Sequence, residues 1–106
     1  MKVVCLVTIS DAEQGKALAR KLLEMKLVAC VNVVPAITSL YWWEGKICED
    51  SEALLILKTT QHKVDHLVKA VKAHHPYSVP EVISMAIDQG NPDYLQWVED
   101  SVSQSG

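Results

Sequence analysis

From Val3 to Thr8 the chain is almost continuously apolar and β-branched, which predicts a central strand buried on both faces. Ser10-Asp11-Ala12-Glu13 then reads as a capping box, with Ser10 as the cap and Glu13 reaching back. It opens a helix to about Met25. Leu18, Leu22 and Met25 recur at helical spacing beside Ala19 and Leu23, while Lys16, Arg20, Lys21 and Glu24 form the wet side. A second strand runs from Val28 to Val34 and resumes from Ile37 to Trp43. Pro35 interrupts it, and since proline cannot donate to a ladder, a bend or bulge is expected there. Glu44-Gly45 is the turn, and Lys46 to Thr59 returns, with unbroken apolar residues from Ala53 to Leu57. The next helix spans about Gln61 to Ala73, capped by Thr59 or Thr60, with Val64, Leu67, Val68 and Val71 as its stripe. His74-His75-Pro76 ends it, because the residue before proline resists helical geometry. Tyr77 to Pro80 is an extended connection and Glu81 to Ile87 a fourth strand. Asn91 caps a last helix with Pro92 at its first position; Tyr94, Leu95, Trp97 and Val98 are expected to pack it down. Ser101 to Gly106 reads as a frayed polar tail.

The order strand, helix, strand, strand, helix, strand, helix predicts an α+β domain over residues 1–106. It has the ferredoxin-like split βαβ pattern, βαββαβ, plus a C-terminal helix. Two right-handed crossovers place both main helices on one face of the sheet. The other face, still apolar, calls for a partner.

The central hairpin is too long for such a domain. Sixteen extended residues from Val28 to Trp43 would span roughly 50 Å. A compact chain of this length has a radius of gyration of about 13 Å. The hairpin must bend sharply or project. A projecting tip carrying Tyr41, Trp42, Trp43 and Ile47 would leave large aromatic surface in water, which marks an interface. Its free edges would also invite pairing between chains. The expectation is an assembling protein.

Composition narrows the class. Of 106 residues, 49% are apolar and 22% charged, so the chain is globular. The formal net charge is −3 without a basic run, which argues against nucleic-acid binding. The apolar run of Met1 to Thr8 is too short for a signal segment and reads as strand. No membrane partner and a cytoplasmic location are expected. Cys5, Cys30 and Cys48 lack metal-ribbon spacing, and each falls in a predicted strand as a buried small hydrophobe.

Candidate chemistry is sparse. There is no phosphate loop and no nucleophile elbow. An enzyme built on Cys30 would need a base that the sequence does not position; no catalysis is expected. His62 and His66, four apart on the second helix, could chelate a transition ion, though two solvated histidines are the commoner arrangement. His74 and His75 sit at a helix end before Pro76-Tyr77. They are either a C-terminal cap or soft-metal ligands with a second group from elsewhere. Lys58 ends an apolar strand on the face of Leu54 and Ile56, and Glu81 begins another. The two either form a salt bridge between subunits or line a cleft for a small anionic ligand.

These residues resemble the CutA divalent-cation tolerance family. The matching pieces are Leu27-Val28-Ala29-Cys30-Val31-Asn32-Val33-Val34-Pro35, Thr38 to Lys46 around Tyr41-Trp42-Trp43-Glu44-Gly45, Lys58-Thr59, His74 to Glu81, and Gly90 with Tyr94-Leu95-Gln96-Trp97. The resemblance covers nearly the whole chain. It implies a homotrimer similar in architecture to PII-type signalling proteins, with interlocked hairpins and Tyr41, Trp42 and Trp43 in the interface. It also implies a cytoplasmic role in tolerance to copper and other divalent cations, with no established catalysis. The ion, copper or another divalent cation, would be held loosely by His74 and His75. Some bacterial members add a first-strand cysteine; that position is Val7 here, and Cys5 lies one pleat away, about 7 Å. Without that thiolate, weaker or altered metal binding is expected. The alternative is a signalling or adaptor trimer that binds a small anionic molecule between subunits, with Lys58, Tyr77 and Glu81 lining the cleft.

Overall fold

A computed structural model of the protein describes residues 1–103. Strand β1 spans Lys2–Ile9, helix α1 Ala12–Glu24, β2 Cys30–Trp43 and β3 Lys46–Thr60. A 3-10 turn at Gln61–Lys63 leads into α2, Val64–His74; β4 spans Ile83–Ala86 and α3 Pro92–Ser103. The sheet order is β2-β3-β1-β4 with every pair antiparallel, the ferredoxin-like arrangement.

The pleat sorts the sheet into two faces. Val3, Cys5, Val7 and Ile9 of β1 and Ala53, Leu55 and Leu57 of β3 are buried under α1 and α2, against Leu18, Leu22, Leu67 and Val71. A Cβ on Gly15 would sit 3.0 Å from Leu55 and 3.2 Å from Ile9, so α1 rests on the sheet at a glycine. The alternate residues Val4, Leu6, Thr8, Leu54, Ile56 and Lys58 face the other way and are half-buried. That second face is partly covered by the chain itself. Helix α3 crosses it, with Val98 and Val102 buried and Glu99 3.5 Å from Lys2. Ile83 and Met85 remain exposed on the β4 edge.

Several local expectations change. The cap of α1 is Asp11, whose Oδ1 accepts from the Gln14 amide at 2.8 Å; Ser10 does not cap. Leu23 and Met25 are exposed, and only Leu18, Ala19 and Leu22 form the buried stripe with Gly15. Thr60 precedes the 3-10 turn without a side-chain cap bond, and the Thr59 hydroxyl donates instead to the Leu27 carbonyl at 2.7 Å. In α3, Tyr94 and Trp97 are exposed and Val98 and Val102 carry the packing. Ser101 to Ser103 continue that helix, and the rest of the expected tail lies outside the described residues. Of the cysteines only Cys5 is fully buried; Cys30 and Cys48 are half-buried.

The hairpin projects. The molecule extends 44 Å along its longest axis, with a radius of gyration of 14.3 Å. The β2–β3 register shifts between Val34 and Ile37, the bulge that Pro35 demands. At the tip Glu44 and Gly45 both have positive φ, 51° and 78°, the geometry that two-residue hairpin turns need.

Candidate functional site

Helix α2 ends where its backbone must turn before Pro76, and the His75 amide closes the last turn on the Val71 carbonyl at 2.8 Å. His74 and His75 then diverge. His74 is exposed. His75 is only 8% exposed, and both of its ring nitrogens are engaged. Nε2 lies 2.7 Å from the Thr8 carbonyl and Nδ1 accepts the Tyr77 amide at 3.1 Å. Those partners set the neutral tautomer with the proton on Nε2.

The reason for this latch is the length of β4. It was expected from Glu81 to Ile87 but covers only Ile83–Ala86, and its pairing with β1 stops at Leu6. Among the described residues, no strand lies beside the β1 edge beyond Leu6 on that side. The imidazole of His75 supplies the donor that the Thr8 carbonyl would otherwise lack. Its ring also lies 4.7 Å from that of Tyr77.

Tyr77 continues the network. Its hydroxyl donates to Glu52 Oε2 at 2.8 Å, and Glu52 is itself only 8% exposed. Burial first, and the Glu52 bond second, push the Tyr77 phenol far above its ordinary range. On the hairpin, the Tyr41 hydroxyl donates to Asp50, which raises that phenol to about 12. Both phenols are therefore held as donors.

Thr8, Tyr41, Trp43, Glu52, Tyr77, Ser78, Val79 and Glu81 line one cleft of about 420 Å³. It lies on the sheet face opposite α1 and α2, under the hairpin. Tyr77 and Glu81, both expected there, share it. Lys58 does not. It sits four residues beyond Leu54, the partner of Thr8, and donates to the Asn32 side chain. No Lys58–Glu81 salt bridge forms within the described residues. Because the lining carries two carboxylates and no cationic side chain, the expectation of an anionic ligand does not suit the cleft formed by this chain alone.

The pleat divides the tip aromatics. Tyr41 and Trp43 point into the cleft, whereas Trp42, 71% exposed, shares the opposite face with Leu40 and its cross-strand partner Ile47. Sequence reasoning grouped all three and missed Glu52. Its position in the register, on the same hairpin face as Tyr41 and Trp43, could have flagged it.

For a metal the donor set of the single chain is poor. Among the described residues no three His, Cys, Asp or Glu side chains gather. His62 lies in the 3-10 turn and His66 in α2, so the two do not share one continuous helix. Val7 and Cys5 are both fully buried against the helices, and burial raises the Cys5 thiol to about 11. Cys30 meets Asn32 rather than an imidazole. No helix of the described residues is long and apolar enough to cross a membrane.

Comparison with known proteins covers most of the chain. A family model described as CutA1 divalent ion tolerance protein matches residues 3–101. A rice protein, "Protein CutA 1, chloroplastic", is 50% identical over 103 residues; these are 97% of this chain and 58% of the rice protein, so the chain spans little more than half of it. The solved structure of the divalent cation tolerance protein Cut A1 from Thermus thermophilus superposes with a TM-score of 0.94 at 44% identity, covering 96% of this chain and 99% of that one. The periplasmic divalent cation tolerance protein CutA from Archaeoglobus fulgidus gives a TM-score of 0.93 at 36% identity, covering 96% and 99%.

Proposed function

This chain belongs to the CutA1 divalent ion tolerance protein family, and from that premise we propose that it serves divalent-cation tolerance as a non-catalytic homotrimer that binds copper or a related ion loosely. The observation that carries the assembly is the projecting hairpin. Leu40, Trp42 and Ile47 form one apolar, solvent-facing patch on it, each side chain more than half exposed, and such a patch with a tryptophan at its centre marks an interface. Buried between subunits, it would supply core that a domain of this size lacks.

The ion is cargo rather than a resident cofactor. His74 is the exposed imidazole of the pair and the ligand we assign. His75 could add Nδ1 only by releasing the Tyr77 amide, although its Nε2–H bond to the Thr8 carbonyl is the orienting contact that ligating histidines commonly have. One imidazole without a thiolate favours weak, exchangeable binding of Cu(II) over tight binding of Cu(I). Location does not follow from the family, since one relative is named chloroplastic and another periplasmic.

Copper titration by calorimetry tests the site. His74→Ala is expected to weaken binding about tenfold or more. Unchanged affinity would remove His74 as the ligand. Sedimentation of wild type and Trp42→Ser tests the assembly: the wild type should run as a trimer and the variant should dissociate on dilution, and a monomeric wild type would overturn it.

A further inference from the structure

The cleft under the hairpin has a chemistry that neither metal binding nor assembly uses. Three of its walls are aromatic, from Tyr41, Trp43 and Tyr77, and two side chains are carboxylates, Glu52 and Glu81. Lys46, paired across from Trp43, is exposed and is not among the lining residues. Glu52 is more than nine-tenths buried, yet its only donor among the described residues is the Tyr77 hydroxyl on Oε2. A carboxylate offers about four lone-pair sites. Glu52 therefore keeps Oε1 without a donor, and because that oxygen is not among the buried unpartnered ones it is open to the cleft, where aromatic walls beside a carboxylate favour a cation with its own apolar surface.

The class of cation follows from the walls. An anion meets two carboxylates and no positive group. A bare divalent ion needs several hard oxygen ligands, and no three acidic or histidine side chains converge among the described residues. An organic ammonium ion uses both features: its charge faces Glu52, and its methyl or methylene groups lie on the ring faces. The Tyr41 and Tyr77 hydroxyls are already committed to Asp50 and Glu52, so those residues offer rings rather than donors. A volume of about 420 Å³ falls in the range of small-molecule sites.

We infer that this cleft binds an organic ammonium group, with Glu52 Oε1 as its charge partner, Trp43 and Tyr41 as its aromatic walls and Glu81 at its exposed rim. The site does not use the assigned metal ligand, since His74 lies outside the lining, although His75 bonds the lining residues Thr8 and Tyr77. The same ammonium chemistry could come from a free alkylammonium ion or from a lysine of a neighbouring subunit. We commit to the free ion, and the assembled protein separates the two.

The experiment titrates tetramethylammonium chloride, against sodium chloride at matched ionic strength, into the assembled full-length protein. It follows the three tryptophan indole N–H resonances, with Trp43 assigned by Trp43→Leu. The expected result is a saturable, millimolar shift confined to Trp43. Tert-butanol, a neutral body of similar shape, should bind at least about tenfold more weakly. Glu52→Gln keeps an acceptor for Tyr77 and should weaken tetramethylammonium by a similar factor. Glu81→Gln, at an exposed position without a side-chain hydrogen bond or ion pair among the described residues, should weaken it a few-fold and serves if Glu52→Gln does not fold. Three results would each overturn the inference: saturation by tert-butanol as readily as by tetramethylammonium, affinity unchanged in the glutamine variants, or no shift at Trp43 because a neighbouring subunit fills the cleft.

Discussion

Two adjacent histidines should behave in opposite ways when removed. His75→Ala takes away the donor to the Thr8 carbonyl at 2.7 Å and the acceptor for the Tyr77 amide at 3.1 Å. Each lost bond costs about 1 kcal/mol. The ring is buried against Tyr77, so its deletion also leaves a cavity and weakens that packing, for about another 1 kcal/mol. The predicted loss is about 3 kcal/mol, a large share of a typical domain stability of about 5–15 kcal/mol. His74→Ala removes an exposed side chain and should stay within about 0.5 kcal/mol. The assay is equilibrium urea unfolding in the presence of a chelator, so that metal contributes nothing. It is run at several protein concentrations, because dissociation couples to unfolding in an oligomer. The midpoint should fall for His75→Ala at constant m-value. Equal shifts for the two variants, or a His75→Ala loss below about 0.5 kcal/mol, would refute the reasoning that His75 substitutes for the missing β4 pairing.

Two further outcomes follow. Lys26 sits at φ 59° just past α1, where its amide bonds to the Leu23 carbonyl and the Leu27 amide to the Leu22 carbonyl, both at 3.0 Å, a Schellman end. Lys26→Gly relieves the left-handed strain and is predicted to stabilise the protein by about 0.5–1 kcal/mol in the same assay; a loss would show that the helix end does not depend on that conformation. The Tyr77 phenol is held above its unfolded value of about 10. Its stabilisation is complete below about pH 10 and is lost as pH climbs towards the folded value, because the unfolded chain gives up the proton first. Unfolding measured from about pH 9 to 11 should show a flatter decline for Tyr77→Phe than for wild type, with Tyr41 and Cys5 keeping part of the slope, and identical slopes would sink this assignment.

Element order, the Glu44-Gly45 turn, the Pro35 bulge and the Asn91-Pro92 start of α3 were legible in the chain, because each rests on local chemistry. Alternation marks a strand, a proline lacks its donor, and a glycine admits positive φ. Membership of the family was legible for the same reason, since its motifs are stretches of adjacent residues. The site was less legible. The sequence expected Tyr77, Glu81 and Lys58 to line one cleft between subunits; in the fold Tyr77 and Glu81 share a cleft of this chain, while Lys58 lies on a different part of the sheet. The sequence paired His74 with His75, though one is exposed and the other buried.

What only the tertiary structure decided is where distant residues meet. Glu52 entered no sequence argument, and it became the buried carboxylate of the cleft because the β3 register aligns it with Tyr41 and Trp43 while Tyr77 arrives from another element. Likewise β4 is short, so the edge of β1 needs a donor, and His75 is the side chain within reach of Thr8, 67 residues away in sequence. Periodicity reports which way a side chain points relative to its own neighbours. It carries no information about which orphan carbonyl or carboxylate lies opposite, and that pairing gives this corner of the protein its chemistry.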